Sequence, residues 1–90
     1  MITIQDGYVT VGEKSAYLTP TQEKIFLVLL NAKNRFVRTA DIYNTAFPDM
    51  NTDPGIGQVA FHMYHIRRRI KPLGIKIETK IKRGYRIVPM

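Results

Sequence analysis

Ile2 and Ile4 alternate with polar residues, Asp6-Gly7 is a tight-turn pair, and Tyr8, Val9 and Val11 follow. Gly12-Glu13-Lys14 turns the chain again into Ser15-Ala16-Tyr17-Leu18. This opening predicts a short antiparallel meander. A helix start comes next: Thr19 suits the cap, Pro20 the first helical position, and Gln22 completes a capping box. Ile25, Phe26, Leu29 and Leu30 fall at helical spacing, with Leu27 and Val28 broadening the stripe, and predict a helix from Pro20 to about Lys33, fading into Asn34. Phe36-Val37 reads as a brief extended link. Thr39 then caps a shorter helix that turns Ile42, Tyr43 and Phe47 inward and stops at Pro48.

Pro48-Asp49-Met50-Asn51-Thr52-Asp53-Pro54-Gly55 is a loop by its turn-forming residues. Beyond it Val59, Met63, Ile66 and Ile70 recur at i, i+4, i+7 and i+11, the buried stripe of a third helix from Gly57 to Lys71. Pro72 and Gly74 stop it. Ile75 to Thr79 and Tyr85 to Val88 alternate as two strands around Lys80 to Gly84. The order is meander, three helices, terminal hairpin.

The 90 residues suit one small domain spanning 1–90. The longest apolar run, Ile25 to Leu30, is far short of the ~20 residues that span a bilayer, and the N-terminus lacks the basic and apolar stretches of a signal peptide. A cytoplasmic, nucleoid-associated location without membrane contact is expected. The chain has no cysteine, which removes disulfides and thiolate metal sites. Its net charge of +7 is unevenly placed. Residues 1–61 hold five basic side chains against six acidic ones, whereas residues 62–90 hold nine against Glu78 alone. Such segregation points to a polyanionic partner rather than to solubility alone.

On the third helix, Gln58, Phe61, Tyr64, His65 and Arg68 fall opposite the buried stripe, with Arg67 and Arg69 flanking them. No acidic residue occurs from Gly57 to Lys71. An ordinary solvent face mixes Glu with Lys; this one is aromatic, hydrogen-bonding and cationic. Side chains of these types read bases in the major groove, and flanking arginines hold phosphates. The hairpin tip gathers Lys80, Lys82 and Arg83, a poor place for like charges unless an anion visits. A helix-turn-helix followed by a basic hairpin is the winged-helix plan.

At these residues the chain resembles the OmpR/PhoB-type winged-helix effector domain of bacterial response regulators, over nearly its full length. Leu18-Thr19-Pro20-Thr21 resembles that family's opening of the first helix. Val59-Ala60-Phe61-His62-Met63-Tyr64-His65-Ile66-Arg67-Arg68-Arg69-Ile70 is similar to its recognition helix, and Ile77-Glu78-Thr79 with Gly84-Tyr85-Arg86-Ile87 to its wing strands. The resemblance implies an α+β fold: a winged helix-turn-helix with an N-terminal antiparallel β-meander, three helices and a C-terminal β-hairpin wing.

It also implies that Phe61, Tyr64 and His65 stand where the family reads bases, and His62 and Arg67 where it grips backbone. The chain departs from the family at Ala60, where an acid is common, and at His65, where arginine is common, so a different target sequence is expected. A family arginine that enters the minor groove aligns with Ile81, so Lys80, Lys82 or Arg83 substitutes for it or the contact is absent. No receiver domain accompanies the sequence, so direct control by receiver phosphorylation is not expected if Met1 is the natural start.

The function expected is sequence-specific binding of double-stranded DNA in transcriptional regulation, from a bacterial or phage source. The expected DNA-binding set is Gln58, Phe61, His62, Tyr64, His65, Arg67, Arg68, Arg69, Thr79, Lys80, Lys82 and Arg83. The alternative is a winged-helix module that docks an acidic protein in a transcription complex, with RNA binding a third reading. Paired or tandem binding to repeated half-sites is expected of so small a reading surface. The resemblance makes the loop carrying Asp49 and Asp53 a candidate contact for RNA polymerase.

Chemistry finds less support. His62 and His65 lie at helical spacing but lack a third ligand, so no metal or other cofactor is expected. Gly55-Ile56-Gly57 lacks the strand and further glycines of a phosphate loop and reads as a hinge. Ser15 is the only serine and has no evident base. No enzyme is expected.

Overall fold

The computed structural model describes residues 2–48 and 57–89. The chain opens with strands β1 (Ile2–Gln5), β2 (Tyr8–Val11) and β3 (Lys14–Tyr17), paired antiparallel in that order. Tyr8 faces Tyr17 across the β2–β3 ladder, and their rings meet edge to face at 5.4 Å. β3 runs one residue earlier than the sequence pattern places it. Leu18 leaves the strand, donates its N–H to the Gly7 carbonyl at 2.7 Å and is fully buried beside Val9.

Helix α1 (Pro20–Asn31) begins at the predicted capping box. The Gln22 N–H donates to Thr19 Oγ1 at 3.3 Å, and the Thr19 N–H donates to Gln22 Oε1 at 3.1 Å. Ile25, Phe26 and Leu29 enter the core. The helix stops short of the predicted Lys33 because Lys33 and Asn34 take left-handed backbone, with φ of 52° and 71°. The N–H groups of Ala32 and Lys33 donate three residues back, to Leu29 and Leu30, and tighten the last turn.

Helix α2 (Thr39–Ala46) corrects the predicted cap. Arg38, not Thr39, is the extended N-cap residue, and no side chain caps the helix. The cause lies upstream: Val37 is bound to Tyr85 of the hairpin, so the chain enters the helix straight from an extended segment. Ile42 and Ala46 are buried, and Tyr43 and Phe47 lie half-buried against the core. The predicted loop from Pro48 to Gly55, with Asp49 and Asp53, lies outside the described residues after Pro48, as do Gly55 and Ile56 of the predicted hinge.

Helix α3 (Gly57–Ile70) buries its whole predicted stripe, with Val59, Met63, Ile66 and Ile70 each at most 1% exposed. Burying each such side chain contributes roughly 1.5–3 kcal/mol, so this face fixes the rotation of the helix about its axis. Lys71 starts a 3₁₀ turn (Lys71–Leu73) rather than ending α3, and Gly74 closes it at φ 79°. Strands β4 (Ile75–Lys80) and β5 (Gly84–Pro89) then pair antiparallel, with Glu78 opposite Arg86 and Lys80 opposite Gly84. Each strand reaches one residue nearer the tip than predicted. Lys80 therefore belongs to the ladder, and the exposed tip is Ile81-Lys82-Arg83. Ile75, Ile77 and Ile87 seal the core beneath the hairpin. Meander, three helices and wing make the α+β winged helix-turn-helix.

Candidate nucleic-acid interface

The buried stripe of α3 leaves its other side to solvent. Gln58, Phe61, Tyr64, Arg68 and Arg69 are exposed there, and His62, His65 and Arg67 are half-buried. Phe61 and Tyr64 expose 57% and 56% of their surface on this face. They are not loose. The Phe61 ring meets His65 edge-on at 4.7 Å and His62 at 5.4 Å, and Tyr64 meets His65 at 5.2 Å. Arg68 donates from Nη1 to the Tyr64 hydroxyl at 3.4 Å, with its guanidinium 5.8 Å from the ring centre. The result is a continuous ring surface edged by cations, pre-ordered before any partner arrives.

His62 is held below its ordinary value of 6.5, first by burial and second by the neighbouring His65. Neutral imidazole carries one donor and one acceptor, which suits a polar contact with either a base edge or a phosphate.

Arg67 behaves differently from its neighbours. Its Nη2 donates to Thr79 Oγ1 on β4, and its guanidinium lies 5.8 Å from the Tyr85 ring centre on β5. Its Nε is buried with no hydrogen-bond partner, so the group gives up one donor to lie between α3 and the wing. Arg67 and Thr79, both predicted to face the partner, are thus engaged with each other. They join the two parts of the predicted surface.

Lys80, Lys82 and Arg83 are exposed at the end of the wing, as the charge pattern predicts. Arg86 does not join them: it pairs with Glu78 at 2.8 Å and covers the Phe36 ring at 4.5 Å, bracing the sheet. One basic neighbour of the wing was invisible to local pattern. Arg38 at the start of α2 lines a groove of about 480 Å³ with Thr39, Thr79, Lys80 and Lys82. The Val37–Tyr85 pairing brings it there, and no nearby residue signals that contact. Among the described residues, no three His, Asp or Glu side chains gather as metal ligands, and no helix is long and apolar enough to cross a membrane.

A family model described as "Transcriptional regulatory protein, C terminal" matches residues 12–87. No curated protein matches the chain. Among solved structures, the C-terminal domain of the nisin resistance regulator NsrR, a lantibiotic response regulator, is similar with a TM-score of 0.83 at 23% identity, covering 96% of this chain and 89% of that one. The DNA-binding domain of response regulator AdeR, in complex with an intercistronic region, gives 0.79 at 22% identity over 99% and 95%. The DNA-binding domain of E. coli CadC gives 0.77 at 12% identity over 93% and 80%. At these identities the likeness is one of fold.

Proposed function

The chain belongs to the family of transcriptional regulatory protein C-terminal domains, and from that membership we propose that it binds double-stranded DNA sequence-specifically as a transcriptional regulator. The observation that carries the reading is the acid-free outer face of α3, ordered by its own rings and tied to the basic wing through Arg67 and Thr79. The AdeR domain, alike in fold, was solved on DNA, which supports the same reading. In it, α3 lies in the major groove. Gln58, Phe61, Tyr64 and His65 meet base edges, while His62, Arg68 and Arg69 hold phosphates beside them. Lys80, Lys82 and Arg83 carry the wing to the adjacent backbone or minor groove, and Arg67 with Thr79 sets its distance from α3.

Residues 1–90 act as one domain in this reading, in the cytoplasm and on the nucleoid, without chemistry of their own. Two copies on repeated half-sites supply the base-reading surface that one lacks. The segment with Asp49 and Asp53 is the proposed contact for RNA polymerase. Selection from a random duplex library, followed by mobility shifts against competitor DNA, tests the core of the proposal. Enrichment of a motif supports it. Capture of an acidic protein with no duplex binding would replace it with a protein-docking module.

A further inference from the structure

Four arginines line one open cleft of about 440 Å³: Arg35 and Arg38 from the link between α1 and α2, and Arg83 and Arg86 from the wing. Phe36 forms part of its wall, and Asp41 is its one acid among the described residues. The cleft lies on the side of the wing turned away from α3. Thr79 and Tyr85, partners across β4 and β5, face Arg67, so Glu78 and Arg86, one residue along each strand, point the other way. The duplex-binding reading of α3 therefore leaves this cleft unused. Arg86 is paired with Glu78 and covers the Phe36 ring at 4.5 Å, with 35% of its side chain still open to solvent. Arg35, Arg38 and Arg83 are exposed and form no ion pair among the described residues. A merely solvated surface has no need to gather unneutralised guanidinium groups from two distant segments into one concavity, where they repel one another.

The fork of a guanidinium fits phosphate oxygens two at a time. Three such forks around one cleft suit a chain of phosphates better than a single one. The Arg86–Phe36 pair adds a platform beside them, and planar bases stack on arginine. We propose that this cleft binds a nucleoside polyphosphate, with the phosphates on Arg35, Arg38 and Arg83 and the base on Arg86. Occupancy has a consequence for the wing. Arg83 belongs to its tip, and Arg38 also lines the groove shared with Lys80 and Lys82. A ligand that engages both arginines, and sets several negative charges beside the wing, opposes a DNA phosphate there. Ligand and duplex therefore weaken each other's binding by the same factor. The site stands on the cleft alone; the antagonism rests on the duplex-binding reading.

The test is calorimetric titration of the 90-residue chain with ATP, AMP and inorganic triphosphate, at fixed ionic strength and without divalent metal. ATP is expected to bind once per chain, and AMP about tenfold more weakly. Arg35→Gln should lose about tenfold in ATP affinity at unchanged Tm, whereas Lys14→Gln, which removes the same charge from β3, should lose none. Equal losses in the two variants, or no saturable binding of ATP by wild type, overturn the site in favour of diffuse attraction to a basic protein. Equal affinity for ATP and inorganic triphosphate overturns the nucleoside assignment. The second arm titrates a duplex selected from a random library, with and without saturating ATP. Wild type is expected to bind it about fivefold more weakly with ATP present, and Arg35→Gln to be indifferent to ATP. Duplex affinity that ignores ATP in wild type overturns the antagonism. Loss of duplex affinity in Arg35→Gln with no ATP binding by wild type overturns the proposal and gives the cleft to the DNA backbone. Saturable ATP binding by a wild type that selects no duplex upholds the site and removes the duplex-binding reading instead.

Discussion

Val37 and Tyr85 exchange both backbone hydrogen bonds, at 2.8 Å from the Val37 N–H and 2.9 Å from the Tyr85 N–H. This single bridge ties the link between α1 and α2 to β5 close to the tip of the wing. It fixes the wing against the helix-turn-helix and draws Arg38 to the edge of the basic groove.

The closeness of that pairing requires glycine next door. Gly84 has φ 103°, and a Cβ on it would lie 2.0 Å from the Val37 carbonyl oxygen. Gly74 has a similar φ of 79° but open space around it. Gly84→Ala is therefore expected to cost on the order of 3 kcal/mol, and Gly74→Ala only about 1–2 kcal/mol, the left-handed penalty alone. Denaturant unfolding of both variants checks the difference; equal losses would show that the Val37 contact yields without strain.

Arg67 and Thr79 should behave as a coupled pair. Thr79→Val keeps the shape and removes the acceptor, at a cost of about 0.5–1.5 kcal/mol. Arg67→Lys loses the fork that serves Thr79 and the flat face over Tyr85 together. In the double variant the losses should fall short of additive by about 0.5 kcal/mol or more. Strict additivity would mean that Arg67 acts on its own, as the sequence pattern alone suggested.

Salt and substitution should separate the helix from the wing. With roughly 5–7 phosphates neutralised, log K against log[salt] is expected to slope at about −4 to −6. A nearly flat plot would argue against DNA as the partner. Phe61→Ala or His65→Ala should shift sequence preference and cost on the order of 1–3 kcal/mol on the best site. Lys82→Ala or Arg83→Ala should weaken selected and random duplexes evenly. A common ratio of losses in all four variants would remove the division of labour.

Sequence legibility followed the range of the interactions. The α3 stripe and the Thr19–Gln22 box repeat within a few residues, so both were readable and both stand. The outer face of α3 followed from the stripe by geometry. The early end of α1 was not readable, because Lys33 and Asn34 adopt left-handed backbone without a glycine to announce it. The shift of the α2 cap from Thr39 to Arg38 traces to Tyr85, far along the chain. For the same reason composition revealed the charge of Arg67 but not its attachment to Thr79 and Tyr85.

Acidification should move stability and affinity in opposite directions through His62. In the folded chain burial, and then His65, hold its pKa below the ordinary value of 6.5. The unfolded chain therefore takes up a proton first as pH falls through 6.5. The stability this residue contributes is full above that pH and declines below it, until the folded form is protonated as well. A phosphate beside His62 favours the cation, so duplex binding should draw in a proton and strengthen over the same window. His62→Gln, which cannot titrate, should be more resistant than wild type to the loss of stability and should lose the gain in affinity. Unfolding and duplex titrations at matched ionic strength between neutrality and mild acid measure both. Should wild type and His62→Gln keep parallel affinity profiles, His62 does not face the phosphates and its place in the interface is lost.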